Sequence, residues 1–318
     1  MARLFSTMLV AAALLWTILS RMASVSASDK IDTIGRTAVI ASFQPEWLQL
    51  QSALQHRKDR IVNGIEYATG EIEGKPVLLF LSGTSMVNAA MTTQFVFDHF
   101  KIDRIVFSGV AGGLNPGLNI GDVVVPDQWS EYLETVFARD TDAGYRLPKF
   151  IEHQQSNNYG MSFPQPVKIS RAPEDPEDHT WFAVDAELLT LARTVATGVQ
   201  LNHCNADKSK IDKSEADQKC LGYQPKIVVG GNGVSGQAFV DNSDFRDYAH
   251  RTFRADAVDQ ESAAVAHVAY ANQVPFIIFR SLSDLAGGDP GENSFEAFQD
   301  LASDNSALLV RAFLKALP

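Results

Sequence analysis

The chain has 318 residues, 45% apolar and 20% charged, and its 27 Lys and Arg against 38 Asp and Glu give a net charge of −11. This composition excludes a disordered or fibrous chain. It also argues against general nucleic-acid binding, which needs clustered cations, and two cysteines make neither a disulfide framework nor a cysteine zinc site. What remains is an acidic, soluble α/β-sized protein with material for a large core and a small-molecule ligand as the expected partner.

Residues 1–27 read as an address. Arg3 opens the segment, an apolar stretch runs from Leu4 to Leu19, and Val25-Ser26-Ala27 offers a small-residue cleavage site. Against an uncleaved anchor, the apolar run falls short of the ~20 residues a spanning helix needs. The expected organisation is therefore a signal peptide over 1–27 and one domain over 28–318, exported to the periplasm or secreted, without membrane contact after cleavage. Removing 1–27 takes away Arg3 and Arg21 and carries the net charge to −13.

The segments 36–43, 77–83, 104–113, 122–127, 226–231 and 275–284 predict strands, several of them apolar at successive positions, as in strands covered on both faces. Helices are predicted over Pro45–Gln55, Met86–Lys101, Asp185–Val199, Asp244–Phe253, Gln260–Gln273 and Ser294–Leu317. Pro45 suits a first turn, and Ser294 resembles an N-cap. The alternation gives an α/β class with a parallel or mixed sheet. Residues 140–180, with five prolines and little periodicity, read as an excursion from the core.

Cys204 and Cys220 bracket a charged, polar stretch. In an oxidising compartment a disulfide closing it is expected, two free thiols being the alternative. His203 beside Cys204 gives too few ligands for a metal. His99, His203, His250 and His267 have no catalytic context and read as structural or surface residues.

Gly231-Asn-Gly233-Val-Ser-Gly236, with Asp256 twenty residues on, fits a dinucleotide fingerprint. No helix opens in that loop, however, and the motif comes late in the chain. Its glycines are read instead as letting the backbone approach a flat ligand. Three acidic residues sit at carboxyl ends of apolar strands, where α/β enzymes build sites: Glu46 after the first strand, Glu261 at the start of an Ala-rich helix, and Asp284 ending Phe279-Arg-Ser-Leu-Ser-Asp284. For a residue such as Glu46 or Asp259 taken singly, helix capping is the ordinary explanation.

Six segments in order carry a resemblance. They are Ser82-Gly-Thr-Ser-Met-Val-Asn-Ala-Ala90, Ser108-Gly-Val-Ala-Gly-Gly-Leu114, Asn119-Ile-Gly-Asp-Val-Val-Val125, Ser235-Gly-Gln-Ala-Phe-Val240, Ala257-Val-Asp-Gln-Glu-Ser-Ala-Ala-Val-Ala-His-Val268 and Phe279–Asp284. Together they resemble the 5′-methylthioadenosine/S-adenosylhomocysteine nucleosidases of the nucleoside phosphorylase superfamily. The resemblance implies a three-layer α/β fold, a central mixed sheet flanked by helices, and a homodimer whose partner helps close the 5′ pocket. It implies hydrolysis of the N-glycosidic bond of a purine nucleoside, with no cofactor and no metal.

By that resemblance Asp284 protonates the leaving purine, Glu46 positions and deprotonates water, and Glu261 grips the ribose hydroxyls. Phe239 stacks on the base while Val240 offers it backbone groups. Arg280 and Ser283 sit beside the acid and Phe295 covers the 5′ substituent, and with them Phe43, Val110 and Gln260 are counted among the substrate-binding residues. An acid at the base opposite a carboxylate holding water is the inverting-glycosidase arrangement. Asp284 must then keep a proton near neutral pH, which needs burial or another negative charge.

The chain departs from the family at Val110, where a small hydroxyl residue is usual, and at Gln260, where the family has Met. Both leave the base and 5′ group open. Phosphate as nucleophile would need cations near the ribose. The stretches around Phe43, Thr84 and Val110 contain no Arg or Lys, and Glu46 would repel an anion. Phosphorolysis and non-catalytic nucleoside binding or storage are the alternative readings.

Overall fold

The computed structural model describes residues 30–151, 157–170, 175–205 and 219–318; the expected signal peptide lies outside them. In chain order the main sheet contains β1 (Asp32–Ala41), β2 (Gln55–Val62), β3 (Ile65–Ile72), β4 (Lys75–Leu81), β5 (Phe100–Gly113) and β6 (Val123–Val125). It continues with β7 (Gln128–Glu131), β8 (Phe182–Ala183), β9 (Ile227–Val229), β10 (Asn232–Ser235), β11 (Ala255–Asp259) and β12 (Phe276–Asp284). The helices are α1 (Gln44–Gln51), α2 (Met86–His99), α3 (Ala186–Ala196), α4 (Ser243–Phe253), α5 (Ser262–Ala271) and α6 (Phe295–Ala316).

The order across the sheet is β8-β7-β10-β11-β5-β1-β4-β3-β2, with β12 pairing β5 and β6, and β9 pairing β6. Runs without polar alternation fill its centre, because only strands covered on both faces can afford them. β1 is parallel to β4 and β5, and β5 is parallel to β12. Val39, Ile40, Leu79, Val106, Phe107 and Ile277 are fully buried there. β5 is long enough to serve three neighbours: its middle pairs β1 and β12, and its last two glycines meet β11 antiparallel. The sheet divides around that end, and the cavity opens at the split. Against the sheet α6 packs on β12 and β5 and carries α1 and α3, while α2 packs on α5. This is the expected three-layer mixed sheet.

The six predicted helices and six predicted strands form, with ends shifted by a few residues. The helix expected to reach Gln55 stops at Gln51, since Gln55 already pairs with Glu71. Ser294 does not cap α6 through its side chain; Asn293 Oδ1 accepts from Phe295 N at 2.9 Å instead. Six strands of the main sheet escaped the sequence reading: β2, β3, β7, β8, β10 and β11. β2 (QHRKDRIV) is exposed nearly throughout and shows no apolar alternation, and charge on an edge strand blocks further pairing. β7, β10 and β11 are too short or too polar to give a pattern.

Residues 140–180 do leave the main sheet. Their described parts form small antiparallel pairs, among them Arg139–Thr141 with Gly144–Arg146 and Val167–Ile169 with Glu177–His179. Tyr159 packs there on Phe245 and Tyr248 of α4. Cys204 and Cys220 form a disulfide, S–S 2.05 Å, and most of the stretch between them is outside the described residues. Of the histidines, His267 contacts Glu131 Oε1 at 2.8 Å and stacks on Phe182, and His250 contacts Ala255 O at 2.8 Å. Among the described residues no helix is long and apolar enough to cross a membrane.

Candidate active site

Local chain geometry delivers Glu46. β1 ends at Ala41, Phe43 is extended, and Pro45 falls in the first turn of α1, so Glu46 faces back over the strand ends. Only 3% exposed, it accepts from Ser42 N at 2.6 Å through Oε2 and from Val110 N at 2.8 Å through Oε1. Burial raises its pKa to about 6, with the nearby Arg280 pulling the other way. Capping of its own helix therefore does not describe Glu46; one oxygen crosses to β5.

Glu261 lies between β11 and α5 and accepts from Ser85 N at 2.6 Å. Ser85 holds φ +76°, a rare value for a residue with a Cβ, which often marks a functional site. Burial pushes the Glu261 carboxyl up, and Asp259 beside it adds to the effect. Asp284 closes β12. Its Oδ1 accepts from Ala286 N and its Oδ2 from Ser283 Oγ, both at 2.9 Å, with Asn293 Nδ2 at 3.5 Å. Burial, helped by the charge of Asp289, outweighs these donors and raises its pKa.

The glycines of β5 leave room for these groups. A Cβ at Gly109 would stand 1.8 Å from Arg280 Nη1 and 2.6 Å from Glu46 Oε1, and one at Gly112 would stand 3.0 Å from Asp284 Oδ1. Three extended residues span about 10 Å, so Glu46 and Asp284 flank opposite ends of one short stretch of strand.

Between them opens a cavity of about 720 Å³, counting the part open to solvent. Glu46, Asp259, Gln260 and Glu261 line one part of it, and Ser283, Asp284, Phe239 and Val240 line another. Val110 belongs to the wall without plugging it, and Phe43 and Phe295 complete the apolar side, their ring centroids 6.2 Å apart. Phe239 meets Phe295 edge-on at 5.7 Å and is 56% exposed, so a flat ring can reach its face. Among the described residues no Lys or Arg lines the cavity. Among the described residues no group of three or more His, Cys, Asp or Glu is placed to hold a metal ion.

Two expectations need correcting. Arg280 does not reach the cavity as a substrate-binding residue. It is fully buried, its Nε donates to Asp259 Oδ2 at 2.6 Å and to Ser262 Oγ at 3.0 Å, and its guanidinium lies 3.9 Å over the Phe107 ring. Nor do Gly231, Gly233 and Gly236 admit a ligand. Added Cβ atoms would meet Asp256, Trp129 and Tyr132 at 2.0, 2.5 and 2.6 Å, so these glycines let strands pack. Asp256 itself accepts from Asn115 Nδ2 at 2.7 Å. The reading of Asp259 as a helix cap was incomplete: Ser262 N does donate to its Oδ1, at 3.2 Å, but it also grips Arg280. Ser85 and Asp259 were missed as site residues; only their position beside family motifs could have drawn attention to them.

A family model described as the phosphorylase superfamily matches residues 36–315. The 5′-methylthioadenosine/S-adenosylhomocysteine nucleosidase of Listeria welshimeri is 30% identical over 287 residues, spanning 90% of this chain and 100% of the relative. The nucleosidase of the same name from Bacillus licheniformis is 28% identical over 283 residues, spanning 89% and 99%. Among solved structures, the corresponding Neisseria meningitidis nucleosidase in complex with methylthio-immucillin-A superposes with TM-score 0.65 at 26% identity, spanning 89% of this chain and 100% of that one.

Proposed function

The chain belongs to the phosphorylase superfamily, and we propose that within it the protein hydrolyses the N-glycosidic bond of a purine nucleoside of the 5′-methylthioadenosine/S-adenosylhomocysteine kind, releasing the free base. The observation that carries this is the convergence of Glu46, Glu261 and Asp284 on one cavity from distant parts of the sequence.

In this reading the purine lies against Phe239 with its imidazole ring toward Asp284. The Asp284 proton passes to the ring nitrogen as the bond between sugar and base breaks, and the bonding electrons leave with the base. Water held by Glu46 adds to the sugar carbon and gives its proton to that carboxylate. The two carboxyls end with their protons exchanged, and bulk water restores them. Raised pKa suits the acid. A base must instead be ionised, and a pKa near 6 leaves Glu46 mostly charged at neutral pH. Glu261 grips the ribose hydroxyls, which helps the rate insofar as the grip tightens in the transition state. Phe43 and Phe295 form an apolar wall for the 5′ substituent. Water is favoured over phosphate because, among the described residues, every ionisable group lining the cavity is acidic.

Two further parts of the reading concern the setting. Export with removal of 1–27 accords with the Cys204–Cys220 disulfide, since such bonds persist in oxidising compartments. A second copy of the chain is proposed to cover the groove bounded by Val87, Leu133, Phe137 and Val268, where Val87 and Phe137 are exposed. The groove adjoins the cavity: Thr84 and Ala238 line the one, Met86 and Gln237 the other.

The test is to incubate residues 28–318 with methylthioadenosine, adenosine and inosine, with and without phosphate, and to follow free base. Release without phosphate is the expected outcome. Strict phosphate dependence would make it a phosphorylase, and binding without turnover a storage or binding protein.

A further inference from the structure

Asp259 is the most heavily hydrogen-bonded carboxylate in the site, and the reaction sequence above does not use it. Its Oδ1 accepts from Ser235 Oγ at 2.5 Å on β10, and from Glu261 N and Ser262 N at 3.3 and 3.2 Å at the start of α5. Its Oδ2 takes Arg280 Nε at 2.6 Å and the Ser262 hydroxyl. Three elements, β10, α5 and β12, are thus tied to one carboxylate, which fixes the backbone carrying Glu261.

The same contact orients Arg280. With Nε committed to Asp259, the two terminal nitrogens, Nη1 and Nη2, are buried without a hydrogen-bond partner in the described structure. Nη1 lies beside Glu46 Oε1, both pressed against the side of Gly109 that has no Cβ. A buried guanidinium with two unpaired ends keeps much of its field for the nearest anion. Beyond Asp259, which already holds Nε, the anion beside those ends is Glu46, and Asp259 decides how much of the field it receives.

We propose that Asp259 is a positioning residue that acts through Arg280, dividing one buried positive charge between itself and the carboxylates of Glu46 and Glu261 and so setting the pH at which the site works. The claim that this site hydrolyses nucleosides belongs to the previous reading, and the kinetic arm of the test rests on it. The ionisable groups facing the cluster are Glu46 from α1, Glu261 ahead of α5, Arg280 from β12 and Tyr132 after β7, whose hydroxyl pKa burial and then Asp259 raise. No Lys or His is among those acting on Glu46 or Glu261.

Asp259→Asn keeps the shape and removes the charge. The undivided guanidinium then favours the ionised forms of Glu46 and Glu261, so the acid limb of kcat/KM moves to lower pH by about one unit. Arg280→Gln moves that limb to higher pH, and adding Asp259→Asn to Arg280→Gln brings it down by less than Asp259→Asn does with Arg280 present, because only the direct repulsion from Asp259 is then removed. Asp259→Glu, which keeps the charge, stays nearer the parent profile than Asp259→Asn.

A second readout needs no substrate. A carboxyl raised in the folded state contributes stability that is present below its ordinary value of 4.5 and is lost as pH rises through its folded value, about 6 for Glu46. Part of the fall in melting temperature between pH 4.5 and pH 8 therefore comes from these groups, and Asp259→Asn makes that fall smaller. If the parent turns over no nucleoside yet the melting curves respond in this way, the nucleosidase reading fails and the placement of Asp259 stands. An acid limb and a pH dependence of melting unchanged from the parent would reduce Asp259 to a packing contact and overturn the proposal. Should Asp259→Asn yield no folded protein, an unmoved limb in Arg280→Gln overturns it equally.

Discussion

At the end of the cavity assigned to the sugar, Glu46, Asp259 and Glu261 crowd around the one guanidinium of Arg280; at the end assigned to the base, Asp284 is held by Ala286 N, Ser283 and Asn293, and no cation figures among the groups acting on it. Burial raises the carboxyls at both ends. What differs is the opposing influence. In the proposed reaction Glu46, beside Arg280, accepts the proton, and Asp284, raised by burial with only neutral donors opposing it, gives one. On that proposal one fold serves both roles because it keeps its buried cation about 10 Å of strand away from the acid.

The strongest attack on this contrast is Asp284→Asn. It removes the proton donor but keeps size and polarity, so turnover should fall by about 10²–10⁴, with an unchanged melting curve and circular dichroism spectrum. Near-normal base release would end the assignment of Asp284 as the acid. Gly109→Ala strikes the other end, driving a methyl into Arg280 Nη1 and Glu46 Oε1. Roughly a 10²-fold loss of kcat/KM is expected from the misplaced base, with about 1–3 kcal/mol of lost stability by urea unfolding; full activity would mean the glycine is incidental.

The two ends should also separate in a pH profile. Glu46 must be ionised to accept the water proton, so kcat/KM falls as pH drops through about 6, by roughly tenfold per unit. Asp284→Asn should leave that acid limb in place on its residual rate. A smaller effect is expected at the polar floor beside Glu261. Gln260→Met should change the ratio of kcat/KM for methylthioadenosine over adenosine by roughly tenfold, in favour of methylthioadenosine, as competition assays would show. The least effect on catalysis belongs to Cys204→Ser with Cys220→Ser. That pair lies outside the cavity wall, so base release should not change while stability drops by about 3 kcal/mol.

The legible parts of this molecule were those with a local physical signature. Val39–Ala41, Leu78–Phe80 and Ile277–Phe279 are apolar at consecutive positions because helices cover both faces of the sheet, and that pattern survives in the sequence. The Glu46, Glu261 and Asp284 assignments came from their place after such strands and from family motifs. Arg280 was read wrongly for the same reason: its neighbour Asp284 faces the cavity, and nothing in Phe279-Arg-Ser-Leu-Ser-Asp says that the guanidinium turns the other way. The edge strand Gln55–Val62 was illegible because its residues are solvated on nearly all sides, which leaves no apolar alternation.

By itself the chain indicated its α/β class, the six helices found among the described residues, a disulfide as the expectation for its two cysteines and the acidic residues with chemical potential, since each depends on neighbours in sequence or on composition. Only the tertiary structure decided which carboxylate shares a buried cation, which glycines make room for the cavity's carboxylates rather than for neighbouring strands, and that Asp259 binds Arg280. Those facts depend on residues tens to hundreds of positions apart meeting where the sheet divides around β5. The energy of a buried charge is set by what surrounds it in space, and adjacency along the chain carries no record of that.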